Sequence, residues 1–405
     1  MRSLLLLQTC VRPIGVLLGV LLALSTAGAD AAPVVPRDDA VVEQLPARLT
    51  GMPRLLRDAA GVGGAAAAVV RARPAQAAAR ARALLDEARD RGDPRYAGYA
   101  LAAIAPWRDD ADAPPAIAIV AATLAQYQHD FDGSRRMLEA VLARDPGNPQ
   151  ATLTLATIAR VQGRYDDSDR RCDALTIPLY RTACLAENTA LRGRFDDARR
   201  TLVALLASPD LQGPAGASSR QWLTTTLAEL EERAGADDAA DRAYREALSL
   251  GRDSYLVLDY VDFLAAHRRH AEAERLLVAE PRPYGDGVLL RLAIVRSAVG
   301  APDAATLATE LGERFAAARE RGDAISIHGR ELARASFAVL GDARTAVAVA
   351  RDNLRIQKEA ADFLVLAEAA RAARDPGALR EAATEARAIG LVDRRLDAVV
   401  GHDAD

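Results

Sequence analysis

Three short echoes limit what this chain can fold into. The run Gln162-Gly163-Arg164-Tyr165-Asp166-Asp167-Ser168 returns downstream as Arg192-Gly193-Arg194-Phe195-Asp196-Asp197-Ala198, and an earlier version, Gln128-His129-Asp130-Phe131-Asp132-Gly133-Ser134, precedes both. Phe131 and Tyr165 lie 34 positions apart. A fixed period of this size marks an array of supersecondary units, each too small to bury its own apolar face. Every echo has an apolar helical pattern before it and another after it, so one repeat reads as helix, turn, helix. The fold class this implies is all-α, a right-handed α-solenoid.

Composition agrees with that reading and removes other function classes. Half of the 405 residues are hydrophobic but only 4% are aromatic, so the core is built from Ala and Leu, whose small volumes let helices approach closely. The formal net charge is −4, with Arg and Asp/Glu interspersed and no basic stripe, which argues against nucleic acid as a partner. Lys358 is the only lysine.

The first thirty residues read as an export signal. Arg2 and Arg12 flank Leu4–Leu7, Ile14–Leu24 is apolar, and Ala27-Gly28-Ala29 and Ala29-Asp30-Ala31 both offer a small-x-small cleavage site. Residues 1–29 are therefore expected to be a signal peptide, with cleavage after Ala29 or Ala31, periplasmic or secreted localisation in a bacterium, and no membrane insertion afterwards. That apolar run falls short of the roughly 20 residues a membrane helix needs. Removing residues 1–29 takes away two Arg and no acid, so the mature chain would carry −4 − 2 = −6. Residues 30–72 form a Pro/Gly-rich lead-in, residues 73–392 the solenoid, and residues 393–405 a tail. The glycines at 61, 63 and 64 have neither a preceding strand nor a following Gly-Lys-Ser/Thr, so they read as a joint rather than a phosphate loop.

From residue 116 onward the repeats can be phased. A first column of mostly small residues reads Ala122, Ala156, Ala186, Ala228, Val261, Ala293, Arg334, Ala367. A second reads Ser134, Ser168, Ala198, Ala240, Ala273, Ala305, Ala346, Leu379, and Gly163, Gly193, Gly235, Gly300 and Gly341 stop helices between them. Together these columns resemble tetratricopeptide repeats, over roughly residues 78–392 and eight or nine repeats. The resemblance is degenerate: the turn aromatic holds only in Phe131, Tyr165 and Phe195, and the second column advances by uneven steps, from 30 to 42 residues. A weaker resemblance, carried by Arg95-Tyr96-Ala97-Gly98-Tyr99, Ala105-Pro106-Trp107 and Ala183-Cys184-Leu185, is to exported bacterial tetratricopeptide proteins without an assigned function.

Candidate chemistry is sparse. Cys172 and Cys184 each stand six residues from the corner expected at Pro178 and should face each other, either as a disulfide that export permits or as two buried thiols. His267 and His270 lack a third metal ligand, and the register puts His270 in the turn and leaves His267 solvated. No metal, cofactor or catalytic residue is expected, and the chain reads as no enzyme. The tetratricopeptide resemblance implies a groove lined by the first helices of the repeats. Mapped onto this sequence, its second and ninth positions pair aromatics with carboxylates in the middle repeats: Tyr180 with Glu187, Trp222 with Glu229, Tyr255 with Asp262, and Glu232 one turn beyond Glu229. These seven residues are the candidate site, and the expected partner is a protein or a basic peptide bound by an exported scaffold. The alternative is a structural or assembly component of a bacterial envelope complex that uses its convex face or termini.

Overall fold

The structure is a computed structural model in which the described residues are 70–108, 110–320 and 325–401, all within the unit Gly51–Asp405. The expected signal peptide, the lead-in up to residue 69 and the last four residues lie outside them.

Among the described residues there is no strand. The chain runs through nine successive helix pairs: α1 and α2 (Pro74–Arg91, Pro94–Ala103), α3 and α4 (Pro115–Tyr127, Phe131–Arg144), α5 and α6 (Pro149–Val161, Tyr165–Asp173), α7 and α8 (Pro178–Leu191, Phe195–Leu206), α9 and α10 (Ala217–Arg233, Asp237–Leu250). It continues with α11 and α12 (Ser254–Ala266, His270–Val278), α13 and α14 (Asp286–Ala298, Ala304–Glu320), α15 and α16 (Ile325–Ala338, Ala343–Leu354), α17 and α18 (Ala360–Ala373, Pro376–Ala388), and a last helix, α19 (Arg394–Gly401). Two short 3₁₀ turns, Pro209–Leu211 and Pro214–Gly216, occupy the insertion before α9. None of the described helices is long and apolar enough to cross a membrane.

The pairs form for the reasons the columns suggest. Phe131, Tyr165 and Phe195 start the second helices of their pairs and are buried there, while Ala122, Ala156, Ala228, Ser134, Ser168 and Ala198 are fully buried where the helices cross. Asp166, Asp167, Asp196 and Asp197 sit in first helical turns, at the positive end of the helix dipole. Cys172 and Cys184 are bonded in this fold, with Cα atoms 5.7 Å apart, and lie in a small apolar cluster with Ala156 and Leu175. Replacing both by Ser should lower stability by about 3 kcal/mol on the chain-entropy estimate for so short a loop. Urea melts of the oxidised protein and the double variant measure this directly.

Three sequence expectations need correction. Ala305, phased into the second small column, is exposed: α14 begins only at Ala304, so its inward positions fall on Leu307 and fully buried Leu311. Arg334, phased into the first column, lines the cavity instead, and its two neighbours Ala333 and Ala335 are the fully buried side chains. Residues 394–401, assigned to a tail, form α19, whose Leu396 is buried.

Successive turns of the superhelix touch. The Ser254 hydroxyl at the start of α11 donates to the Asp90 carbonyl in α1, 3.0 Å away. The Lys358 amide donates to the Val161 carbonyl at the end of α5, and the Val392 amide to the Leu191 carbonyl at the end of α7, 2.6 and 2.9 Å away. The corner glycines serve twice here. Gly163 and Gly193 adopt φ of +71° and +77°, a region costly for any side chain, and a Cβ on either would lie 2.9 Å from Ile389 or Val392 of the next turn.

Candidate functional site

Because the turns touch, the concave face is walled into a cavity of about 990 Å³. The first helices α5, α7, α9, α11, α13, α15 and α17 line it, and α19 closes one side. Of the seven residues chosen from sequence, Glu187, Trp222, Glu229, Glu232, Tyr255 and Asp262 face this cavity. Tyr180 does not line it and instead packs on Trp222, ring centroids 6.0 Å apart. Tyr255 projects into the space with 61% of its surface open, although protein surrounds it.

The carboxylates are not left for a guest as the groove mapping expected. Arg160 pairs with Glu187. Arg395 of α19 reaches Glu232 at 2.7 Å, and the Tyr244 hydroxyl donates to the same carboxylate at 2.7 Å. Asp262 accepts from both Arg291 and Arg334, each at 2.6 Å. Glu229 is different. It accepts from the Tyr255 hydroxyl at 2.8 Å, but Arg233 comes no nearer than 3.6 Å and makes no hydrogen bond to it.

His267 and His270 are held by neighbours of their own chain or by the turn. His267 is not solvated: it lines the cavity edge, its Nε2 lies 3.1 Å from Asp237 and its Nδ1 2.8 Å from the Phe263 carbonyl, while its ring rests on Phe263. His270 starts α12, in the turn position. Among the described residues no three His, Cys, Asp or Glu side chains group as a metal site.

A family model for the tetratricopeptide repeat matches residues 125–177, which span the end of α3 through α6 and the corner after it. Helix pairs of the same kind precede and follow that segment. This segment is a tetratricopeptide repeat, set within an all-helical array. Among solved structures the array is similar to the pilF protein of Pseudomonas aeruginosa (16% identity, TM-score 0.36, over 51% of this chain and 93% of that one). It is also similar to a tetratricopeptide repeat protein of Parabacteroides merdae (15%, 0.38, 58% and 93%) and to the APC/C hetero-tetramer Cut9–Hcn1 (14%, 0.44, 78% and 60%). At these identities and scores none of them bears on partner or activity. No curated relative matches the chain.

The cavity holds one residue that the expected groove positions did not single out. Asp259 stands one turn along α11 from Tyr255, lines the cavity, and receives no hydrogen bond from any described residue. Burial, reinforced by Glu229, Asp262 and Glu232, pushes its pKa well above the ordinary carboxylate range, with Arg291 opposing. Burial also raises Glu229, as do Glu187 and Glu232, against Arg233 and the Tyr255 hydroxyl. Asp262 shows the opposite balance: burial would raise it, but Arg291 and Arg334 hold it below the usual value. Across the cavity Glu368 of α17 is raised by its burial, with Arg334 pulling the other way.

Asp259 therefore costs stability when ionised. Its folded pKa exceeds its unfolded one, so its contribution is intact below the unfolded value and is lost as pH rises toward the folded value. Asp259→Asn should raise the urea midpoint at pH 7 and leave it nearly unchanged at pH 3.5. A paired pair of melts at the two pH values checks the sign.

Proposed function

We propose that this tetratricopeptide protein is an exported scaffold that takes a segment of a protein partner into its concave cavity and carries out no catalysis. Proteins of this repeat family are in general interaction scaffolds without catalytic activity. The observation that carries the reading is the cavity itself: a space of about 990 Å³ holding an open aromatic, Tyr255, beside a carboxyl, Asp259, with no hydrogen-bond partner among the described residues. A rigid aromatic offers contact area at little entropic cost, and an unpaired carboxyl in a partly desolvated space favours a cationic group of the guest. Support for export comes from the leader read in residues 1–29 and from the Cys172–Cys184 bond, which suits an oxidising compartment. The expected setting is the periplasm or cell envelope.

The competing reading puts the partner on the outer face. A photo-cross-linking amino acid placed at position 255, in the cavity, and at position 203, where Val203 is half exposed on α8, separates them. Adducts from position 255 alone support the cavity; adducts from position 203 alone support the outer face.

A further inference from the structure

We propose that the cavity seats the amino terminus of a bound polypeptide, its ammonium between Asp259 and Glu229 and its first carbonyl accepting a hydrogen bond from Arg233. The inference rests on the reading of the cavity as the partner's site and names the chemistry recognised there.

Charge pairing on the cavity wall points to that spot. On α7, α9 and α11 the carboxylates of Glu187, Glu232 and Asp262 each have an arginine of the same chain against them. Among the described residues Asp259 has no arginine in ion-pair contact and Glu229 has one held at 3.6 Å, so these two carboxyls are the ones on this wall that no arginine hydrogen-bonds. Two carboxyls that share a space and repel each other gain most from a compact cation placed between them.

Arg233 supplies the second, independent observation. It is 8% exposed, lines the cavity, makes no hydrogen bond to any described residue, and its Nε is buried without a partner. A buried donor left unmatched is costly, so a guest that presents an acceptor there is favoured. The ligand must thus offer an ammonium and, immediately beside it, an oxygen acceptor that closes the gap between Glu229 and Arg233. A lysine side chain has the ammonium without the adjoining acceptor. A polypeptide amino terminus has both, and its first side chain would lie against Tyr255 and Trp222, both of which line the same space. An ammonium near these rings also gains from their quadrupoles.

The test is calorimetric titration of the full chain with three amidated tetrapeptides: Leu-Ala-Ala-Ala with a free amino end, the same peptide N-acetylated, and N-acetyl-Lys-Ala-Ala-Ala. The free-amine peptide should bind at least tenfold more tightly than either acetylated one, and Asp259→Asn, which breaks no bond in the fold, should remove that preference. Glu229→Gln should weaken it in the same direction. Equal affinity for the free and acetylated forms, or recovery of affinity by the lysine peptide, overturns the assignment. If all three peptides bind alike while position 255 still cross-links a partner, the amino-terminal assignment fails and the cavity stands. If none binds and position 255 captures nothing, both fail.

Discussion

Asp262→Ala should destabilise this protein by about 3 kcal/mol, the low end for breaking a buried ion pair, because Asp262 keeps some access to the cavity. Its carboxylate is the shared acceptor of Arg291 and Arg334, which come from α13 and α15, so removing it leaves two guanidinium groups facing each other without the acceptor that both bond. Arg291 is 8% exposed, so a positive charge left there without its partner is poorly solvated. The loss should show in the urea midpoint at pH 7. It should shrink as the pH falls through the depressed pKa of Asp262, because protonation then weakens the wild-type pairs in the same way. A variant as stable as the wild type would mean that the two arginines are already solvated. The sequence alone marked Asp262 as a residue for binding a guest. In the fold it is a keystone between three first helices, and a binding assay on an Asp262 variant would confuse lost affinity with lost structure.

Arg395→Ala should release α19. Arg395 connects Glu232 on α9 with Asp393 just before α19, at 2.7 and 2.6 Å, and among the described residues Glu232 is otherwise bonded only to the Tyr244 hydroxyl. Glu232 is 9% exposed, so losing its cation inside the closed fold would cost about 3 kcal/mol. Undocking of α19 lets water reach that carboxylate and is the cheaper response. The variant is therefore expected to melt near the wild-type midpoint yet to be cut by trypsin after Arg387 and Arg394 at a much higher rate. Unchanged cleavage would show that the apolar contacts of Leu391 and Leu396 hold the helix without the ion pair.

These two variants show what the sequence could and could not reveal. The corners were legible, since Gly163 and Gly193 with their following aromatic and acid pair recur in plain view. So was the nearness of Cys172 to Cys184, which depends only on the length of one loop. The closure was not. Val392 meeting Leu191 and Lys358 meeting Val161 are contacts between residues far apart in the chain, set by the small rotation that each repeat adds to the last. Sequence phasing also slips where the spacing is uneven: one residue of error around α15 put Arg334, which lines the cavity, in a column that its buried neighbours Ala333 and Ala335 fit. Asp259 and Arg291 escaped for a related reason. Both lie between the expected groove positions, on a side of α11 and α13 that faces the cavity in the folded array.

The central claim is that successive turns of the superhelix touch and close the concave face into a cavity. Hydrogen exchange at the backbone amides of Lys358 and Val392 tests it most directly, because both residues lie between helices and their amides donate only across the turn, to Val161 and Leu191. Protection comparable to that of the helical amides of α17 is the expected result. Exchange at the rate of an open loop would show that the turns do not meet and would contradict the account.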